Sequence, residues 1–246
     1  MLNYIWAELY KVRSRKSFWI LCGLLLALEL LALLVMANSG DGEILFWSHP
    51  VGLFLVLPLS ALVCTGLEKN GQMKNELSFG FTRETIYLAK LLSTLLLSLL
   101  LLSAVVLLYL GTEFLLGRGV LQDGTALPTT LLYLLPYLPV WVGGLSLVQM
   151  LFFLLPGTGS TATAYLGYLI LGEGVLSLLF GNASPLFPSW LGERVRSLLL
   201  LYPFSDALYQ GALPDCGLSL HSWLLGLGWT VVTTALGLKA FHRREC

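Results

Sequence analysis

Runs of about 20 apolar residues alternate along the chain with short polar punctuation, and each is long enough for a helix to cross a hydrocarbon core of about 30 Å. The expected spans lie near 17–37, 49–67, 87–111, 130–155, 161–180 and 221–240. Ahead of the first, Leu2, Ile5, Trp6 and Leu9 recur at helical spacing opposite Asn3, Lys11 and a basic cluster. That pattern predicts an interfacial helix over 1–16, its arginines turned toward anionic headgroups. Between the fifth and sixth spans, residues 181–220 hold the run Leu198–Leu201, too short to cross and flanked by Pro185, Pro188 and Pro203. One or two short helices dipping into the outer leaflet are expected there. The predicted fold class is all-α integral membrane, with six transmembrane helices, as a single transmembrane domain over 1–246.

Breaks in the pattern refine the spans. Pro58 is expected to kink the second, and Pro136, Pro139 and the pair Gly143-Gly144 to make the outer half of the fourth irregular or bent. Ser93, Thr94, Ser98 and Ser103 on the Leu-rich third span are expected to bond back to their own helix or to a neighbour. The stretch Pro156-Gly157-Thr158-Gly159-Ser160 reads as a short connection, with Ser160 or Thr161 capping the fifth span. It is not a phosphate loop, because no strand precedes it and no lysine follows.

The one long polar stretch between two apolar runs is 68–90, EKNGQMKNELSFGFTRETIYLAK. Its four basic residues, Lys69, Lys74, Arg83 and Lys90, place it on the cytoplasmic side, where an excess of Lys and Arg accumulates. Asn70-Gly71 signals a turn. Met73, Leu77 and Phe81 follow at helical spacing, with Lys74, Asn75 and Glu76 on other faces, which predicts a short amphipathic helix. Thr82 then reads as an N-cap, with Glu84 in the first turn where the helix dipole favours an anion. A plain solvated loop would carry the same charges, so the residues alone leave both readings open. With six spans both termini share one side, and 11 of the 14 Lys and Arg residues fall on the cytoplasmic face, leaving Arg118, Arg194 and Arg196 outside.

Composition narrows the class further. Hydrophobic residues make up 57% of the chain and charged residues 11%, and the mean hydropathy is +0.81. Soluble domains are about 45–50% apolar and about 25% charged. A formal net charge of zero points to no nucleic-acid partner. No G-x-x-x-x-G-K-[ST] motif occurs, so an ATP-driven process would need its motor on another chain. The apolar run from Phe18 to Ala37 exceeds the signal-peptide core of about 7–15 residues and is expected to be retained as a span.

The pattern Glu68, Gly71, Lys74-Asn75, Leu77, Gly80, Arg83, Tyr87, Lys90 resembles the first cytoplasmic loop of ABC-2 type transporter permeases, the membrane subunits of bacterial ABC exporters. The opening Glu8-Leu9-Tyr10-Lys11, with Arg13, Arg15, Lys16 and Phe18-Trp19, is similar to their amphipathic entry into the first span, and Phe241-His242-Arg243-Arg244-Glu245 to their end. The resemblance implies that the loop over 68–86 holds a coupling helix docking into an ATP-binding subunit. The residues expected at that contact are Glu68, Met73, Lys74, Asn75, Glu76, Leu77, Phe81 and Arg83. It further implies no cofactor on this chain, ATP and Mg being held by the partner subunit; a second permease copy or paralogue; surrounding membrane lipids; re-entrant outer helices before the last span; and the bacterial cytoplasmic membrane with both termini inside. The expected cargo is hydrophobic or amphiphilic, such as an antimicrobial peptide, lantibiotic or drug, with a lipid-linked glycan or an ion as alternatives. An ATP-independent secondary transporter or membrane scaffold is the alternative function.

Two carboxylates fall inside expected spans, Glu29 and Glu173. A charged side chain costs roughly 2.5–3.5 kcal/mol at the bilayer centre on insertion scales, so neither is expected to face lipid. A structural hydrogen bond, a subunit interface or a hydrated substrate pathway would each accommodate them, and the resemblance favours the interface or pathway. His49 and His221 have no Cys or carboxylate spacing that completes a metal site. Trp6, Trp19, Trp47, Trp190 and Trp223 sit at expected span ends as an aromatic belt. Cys22, Cys64, Cys216 and Cys246 are isolated and form no disulfide framework. No catalytic motif appears, and the chain is not expected to be an enzyme.

Overall fold

The computed structural model describes residues 2–36, 51–64, 72–115, 135, 137–180, 194–195, 197–200 and 216–243. Eight helices and no strand occur among the described residues. They are α1 (Leu2–Arg13), α2 (Lys16–Met36), α3 (Val51–Cys64), α4 (Gln72–Ser78), α5 (Arg83–Leu115), α6 (Leu138–Leu154), α7 (Gly157–Phe180) and α8 (Cys216–Arg243). Glu68, the polar residues 38–43 and 116–129 between expected spans, and most of the segment expected to dip into the outer leaflet lie outside the described residues.

The chain divides into two compact units, Met1–Leu135 with Arg244–Cys246, and Pro136–Arg243. In the first unit α1, α2 and α3 pack against α5, the long central helix. Helix α5 starts where the cap was expected: the Thr85 amide donates to Thr82 Oγ1 at 3.2 Å, and Glu84 lies in the first turn. Thr94, Ser98 and Ser103 donate to the carbonyls of Lys90, Leu95 and Leu100 within the same helix. Their hydroxyls are thereby satisfied without a partner helix. Arg15, in the turn between α1 and α2, donates from a guanidinium nitrogen to the Leu62 carbonyl at 2.8 Å. It thus supplies a donor and a cation to the last turn of α3, where helix carbonyls lack internal partners.

Helix α1 differs from its expected facing. Tyr4, Ile5, Glu8 and Val12 are buried, whereas Leu2, Trp6 and Tyr10 stand 73%, 70% and 77% exposed. Ile5 therefore leaves the predicted Leu2/Ile5/Trp6/Leu9 face. It joins Tyr4 and Ala89 of α5 in a small apolar cluster with Leu9 against it. Two stripes compete on this short helix, and the one that also carries Glu8 packs inward.

In the second unit α6 and α8 form a close pair, with α7 beside α6. The pair approaches closely because its contact positions are small: a Cβ added to Gly226 would meet the backbone carbonyl of Pro139 at 2.1 Å. Ser146 and Thr233 share a hydrogen bond of 2.8 Å across the pair, and the rings of Phe153 and Phe241 meet at 4.8 Å. Pro139 lies in the first turn of α6, where its missing N–H removes no helical bond. Gly143 and Gly144, expected to loosen this region, are buried in regular helix instead, and Gly143 serves close packing against Gly226 and Trp229. Helix α7 begins at Gly157 (φ 79°), earlier than Ser160 or Thr161. Glycine supplies the left-handed turn after Pro156, and the Ser160 and Thr161 hydroxyls bond back to the Gly157 carbonyl inside the first turn.

A segment preceding α8 is tied to its unit by side chains. The Leu200 amide donates to Tyr168 Oη at 3.2 Å, Trp229 Nε1 donates to the Leu198 carbonyl at 2.9 Å, and His221 Nε2 donates to the Ser197 carbonyl at 2.9 Å.

Arg83–Thr112 of α5 and Leu220–His242 of α8 are long and apolar enough to cross a membrane; Gly52–Cys64 and Leu138–Leu154 are shorter apolar helices. The outward positions agree with that use. Leu92, Leu96, Leu100 and Leu107 on α5 are exposed, as are Leu220, Leu224, Leu227 and Val231 on α8. Contiguous apolar faces of this kind are rare on soluble monomers, whereas lipid leaves them at no disadvantage.

Candidate functional site

Among the described residues of the first unit, the loop between α3 and α5 helps build a strongly polar constellation. Helix α4 is a short element with a built stop. The Gly80 amide bonds the Leu77 carbonyl at 3.0 Å, and the Phe81 amide the Glu76 carbonyl at 3.4 Å. This double closure requires a left-handed residue, and Gly80 supplies it with φ 84°. The chain then turns so that the Phe81 ring lies 5.0 Å from the Tyr4 ring of α1. Phe81 was expected on the amphipathic helix; the helix ends at Ser78, and Phe81 acts as the apolar clasp just past its cap.

Beneath this clasp lies a buried ionic cluster drawn from three helices. Lys90, eight residues into α5 and fully buried, donates to Glu8 Oε1 of α1 at 3.0 Å and to Glu76 Oε1 of α4 at 3.4 Å. Lys11 stands 3.6 Å from the same Glu8 oxygen at the partly exposed margin. Two carboxylates and two ammonium groups leave the cluster formally neutral, which is the condition for burying charge at tolerable cost. The Tyr4 ring adds a face 5.6 Å from Lys90 Nζ, close enough for a cation–π contact. Burial, and then the Glu76 and Glu8 charges, push the Tyr4 hydroxyl well above the usual phenol range. Burial draws Lys11 below the usual lysine range, with Glu8 opposing it.

The residues singled out in the sequence separate into distinct environments. Asn75 is exposed, Leu77 half-buried and Glu76 buried on α4, Phe81 is exposed at the margin, and Arg83 opens α5 half-buried. Met73 and Lys74 belong to the backbone of α4. Phe79, in the turn after α4, is 80% exposed. Glu29 of α2 is fully buried within the first unit, and Glu173 belongs to α7 of the second.

Sequence reasoning missed the partnership of Glu8 and Lys90, which are 82 positions apart. It assigned both to the cytoplasmic surface. A signal did exist: Glu8 occupies the stripe of Tyr4, Ile5 and Val12, and Lys90 follows Ile86, Tyr87 and Ala89 into the apolar helix. Opposite charges on two inward stripes are a pairing cue.

Residues 4–163 match the family model described as ABC-2 family transporter protein. No curated protein and no solved structure matches the chain. The matched stretch starts within α1, takes in α4 and α5 with the whole ionic cluster, and continues through α6 into α7. With its apolar helices and outward leucines, the chain is a membrane-integral transport component, and it belongs to the ABC-2 transporter family.

Proposed function

We propose that this chain is the permease subunit of an ATP-driven exporter, working as a pair of permeases with two ATP-binding subunits. Membership of the family supports an exporter permease that carries no ATPase of its own. In this reading six helices cross the bacterial cytoplasmic membrane with both termini inside. ATP and Mg are bound by the partner, and a hydrophobic or amphiphilic substrate, such as an antimicrobial peptide or drug, is moved outward. Glu29 and Glu173 belong to the pathway or the permease interface.

The observation that carries the reading is the build of α4. A seven-residue polar helix is fixed at its base by Glu76, and the turn after it by Phe81, while Asn75 of the helix and Phe79 of the turn stand exposed. A segment anchored at its base with an exposed aromatic beside it is suited to docking, since aromatic residues, Phe among them, are enriched at interfaces. ATP-driven closure of the motors would move α4 and, through its base, α1 and α5.

Affinity capture of the tagged chain, expressed with its ATP-binding subunit, tests this. The wild type is expected to retain the ATPase and Phe79→Ala to lose most of it. Equal retention by the two chains, or none by the wild type, refutes the docking role. Orientation is tested separately with Asn75→Cys: an impermeant maleimide should label it only after the cells are opened, and labelling of intact cells would invert the topology.

A further inference from the structure

We infer that Arg13 and Lys16 grip the headgroup phosphate of an anionic phospholipid at the corner between α1 and α2, and that one of its acyl chains lies along a furrow of α2 floored by Gly23. This site depends on the membrane-integral character of the chain and not on the ATPase docking of α4.

The fold sorts the four cations of this corner. The sequence pattern turns both arginines toward headgroups, yet Arg15 donates to the Leu62 carbonyl at 2.8 Å, and Lys11 stands 3.6 Å from Glu8 Oε1. Arg13 and Lys16 are left exposed, and neither has an ion-pair partner among the described residues. They flank a firmly built turn. The Ser14 amide bonds the Tyr10 carbonyl and the Arg15 amide the Val12 carbonyl, both at 3.0 Å, while Trp19 Nε1 donates to the Arg13 carbonyl at 2.9 Å. Two cations three positions apart on a fixed corner can share one phosphate, Arg13 with the paired donors of its guanidinium and Lys16 as a compact point charge.

Depth and shape select a lipid. Helix α1 presents Leu2, Trp6 and Tyr10 outward at i, i+4 and i+8, and Trp and Tyr settle at headgroup level. The corner at the end of α1 therefore lies at that level too. Above it, α2 turns Phe18, Leu25 and Glu29 inward, whereas Ile20, Leu24 and Leu31 stand exposed on the helical stripe that begins at Lys16. Gly23 is exposed within this outward face, and a Cβ added there meets nothing within 4 Å. The result is an apolar furrow ending at Lys16, shaped for an acyl chain whose phosphate sits between the two cations.

A second copy of the chain fits this face less well. A two-fold axis along the membrane normal would set Arg13 and Lys16 of one copy facing the same residues of the other, and like charges placed face to face oppose association. An anionic headgroup meets the same two cations with the opposite sign, the attraction that basic residues at a membrane surface have for acidic lipids.

Native mass spectrometry of the purified chain, titrated in detergent with phosphatidylglycerol or with phosphatidylcholine of the same acyl chains, counts the lipids retained. The wild type is expected to keep one phosphatidylglycerol per chain at concentrations where phosphatidylcholine is lost. Arg13→Gln combined with Lys16→Gln should weaken that retention on the order of thirtyfold, the scale of two basic residues at an anionic surface. The same change at Lys239, an exposed cation of α8, should leave it unaltered. Gly23→Leu fills the furrow with both cations in place and should weaken retention several-fold; because a Cβ there meets nothing within 4 Å, this variant decides the matter if the double variant fails to fold. Equal retention of the two lipids by the wild type, full retention of phosphatidylglycerol by the double variant or by Gly23→Leu, or an equal loss in Lys239→Gln overturns the site. So does displacement by inorganic phosphate at the lipid's own concentration, which would mark a plain anion site. Loss of dimer rather than of lipid in Gly23→Leu would give the furrow to a second copy and overturn it as well.

Discussion

Gly226→Ala tests the packing of the second unit at its closest point. The new methyl carbon would lie 2.1 Å from both the carbonyl carbon and oxygen of Pro139 and 2.5 Å from the Val140 nitrogen. Optimal contact is about 3.5–4.0 Å, so α8 must retreat by well over 1 Å, and gaps of 0.5–1 Å already forfeit about a quarter to a half of each contact. The atoms in the way are backbone, with no rotamer to swing aside. Overpacking of this sort costs about 1–3 kcal/mol. The retreat also stretches the 2.8 Å bond between Thr233 and Ser146, worth about 0.5–1.5 kcal/mol. Alanine returns up to about 1 kcal/mol of helix propensity, leaving a net loss of about 1–3 kcal/mol. Gly228, one position further along α8 but one, supplies the control: its added Cβ meets nothing within 4 Å, so Gly228→Ala should gain stability from propensity alone. The difference between the two variants is about 2–4 kcal/mol, which for a chain of this size separates their melting temperatures by roughly 5–15 °C. Thermal melting in detergent, followed by the fraction of protein eluting as a single species, reads the difference. Gly143→Ala, with contacts of 3.1–3.2 Å, should fall between them. If Gly226→Ala melted with Gly228→Ala, the close approach of α6 and α8 would be wrong.

Other substitutions probe the cap, the ionic cluster and the segment before α8. Gly80→Ala imposes a left-handed alanine at a cost of roughly 1–2 kcal/mol and should fray α4, seen as faster amide exchange over 72–80, while Gly80→Asn recovers part of the loss. Thr82→Ala removes the cap of α5 and should cost about 0.5–2 kcal/mol in the same melting assay. Lys90→Met leaves Glu8 and Glu76 buried without their ammonium and should cost about 3–5 kcal/mol. Adding Glu8→Gln and Glu76→Gln to it should restore most of that, because the charge then left, that of Lys11, stands at the partly exposed margin where water reaches it. Tyr168→Phe takes away the acceptor of the Leu200 amide, a loss of about 1–3 kcal/mol for a buried donor, and should speed exchange at Leu200 while sparing α1 and α5.

Much of this molecule is decided locally, and the sequence by itself determines it. The apolar runs specify helices, Thr82 and Glu84 start α5 within the expected place, and the hydroxyls of Thr94, Ser98 and Ser103 turn back onto their own helix. These outcomes depend on neighbours within four residues, so periodicity and capping chemistry report them. The left-handed turns at Gly80 and Gly157 are local too, yet the periodic pattern ran through the first and the hydroxyls of Ser160 and Thr161 masked the second. Which stripe of α1 faces inward, and that Phe81 clasps Tyr4 from beyond the end of α4, required the tertiary structure. So did the use of Gly143 and Gly226 for close approach rather than for bending. The pairing of Glu8, Glu76 and Lys90 is the clearest case. Each reads as a surface charge in its own segment, and only when α1, α4 and α5 converge does water leave and the charges become one another's solvent. Burial energetics belong to the assembled helices, and no window of sequence spans the 82 positions that separate Glu8 from Lys90.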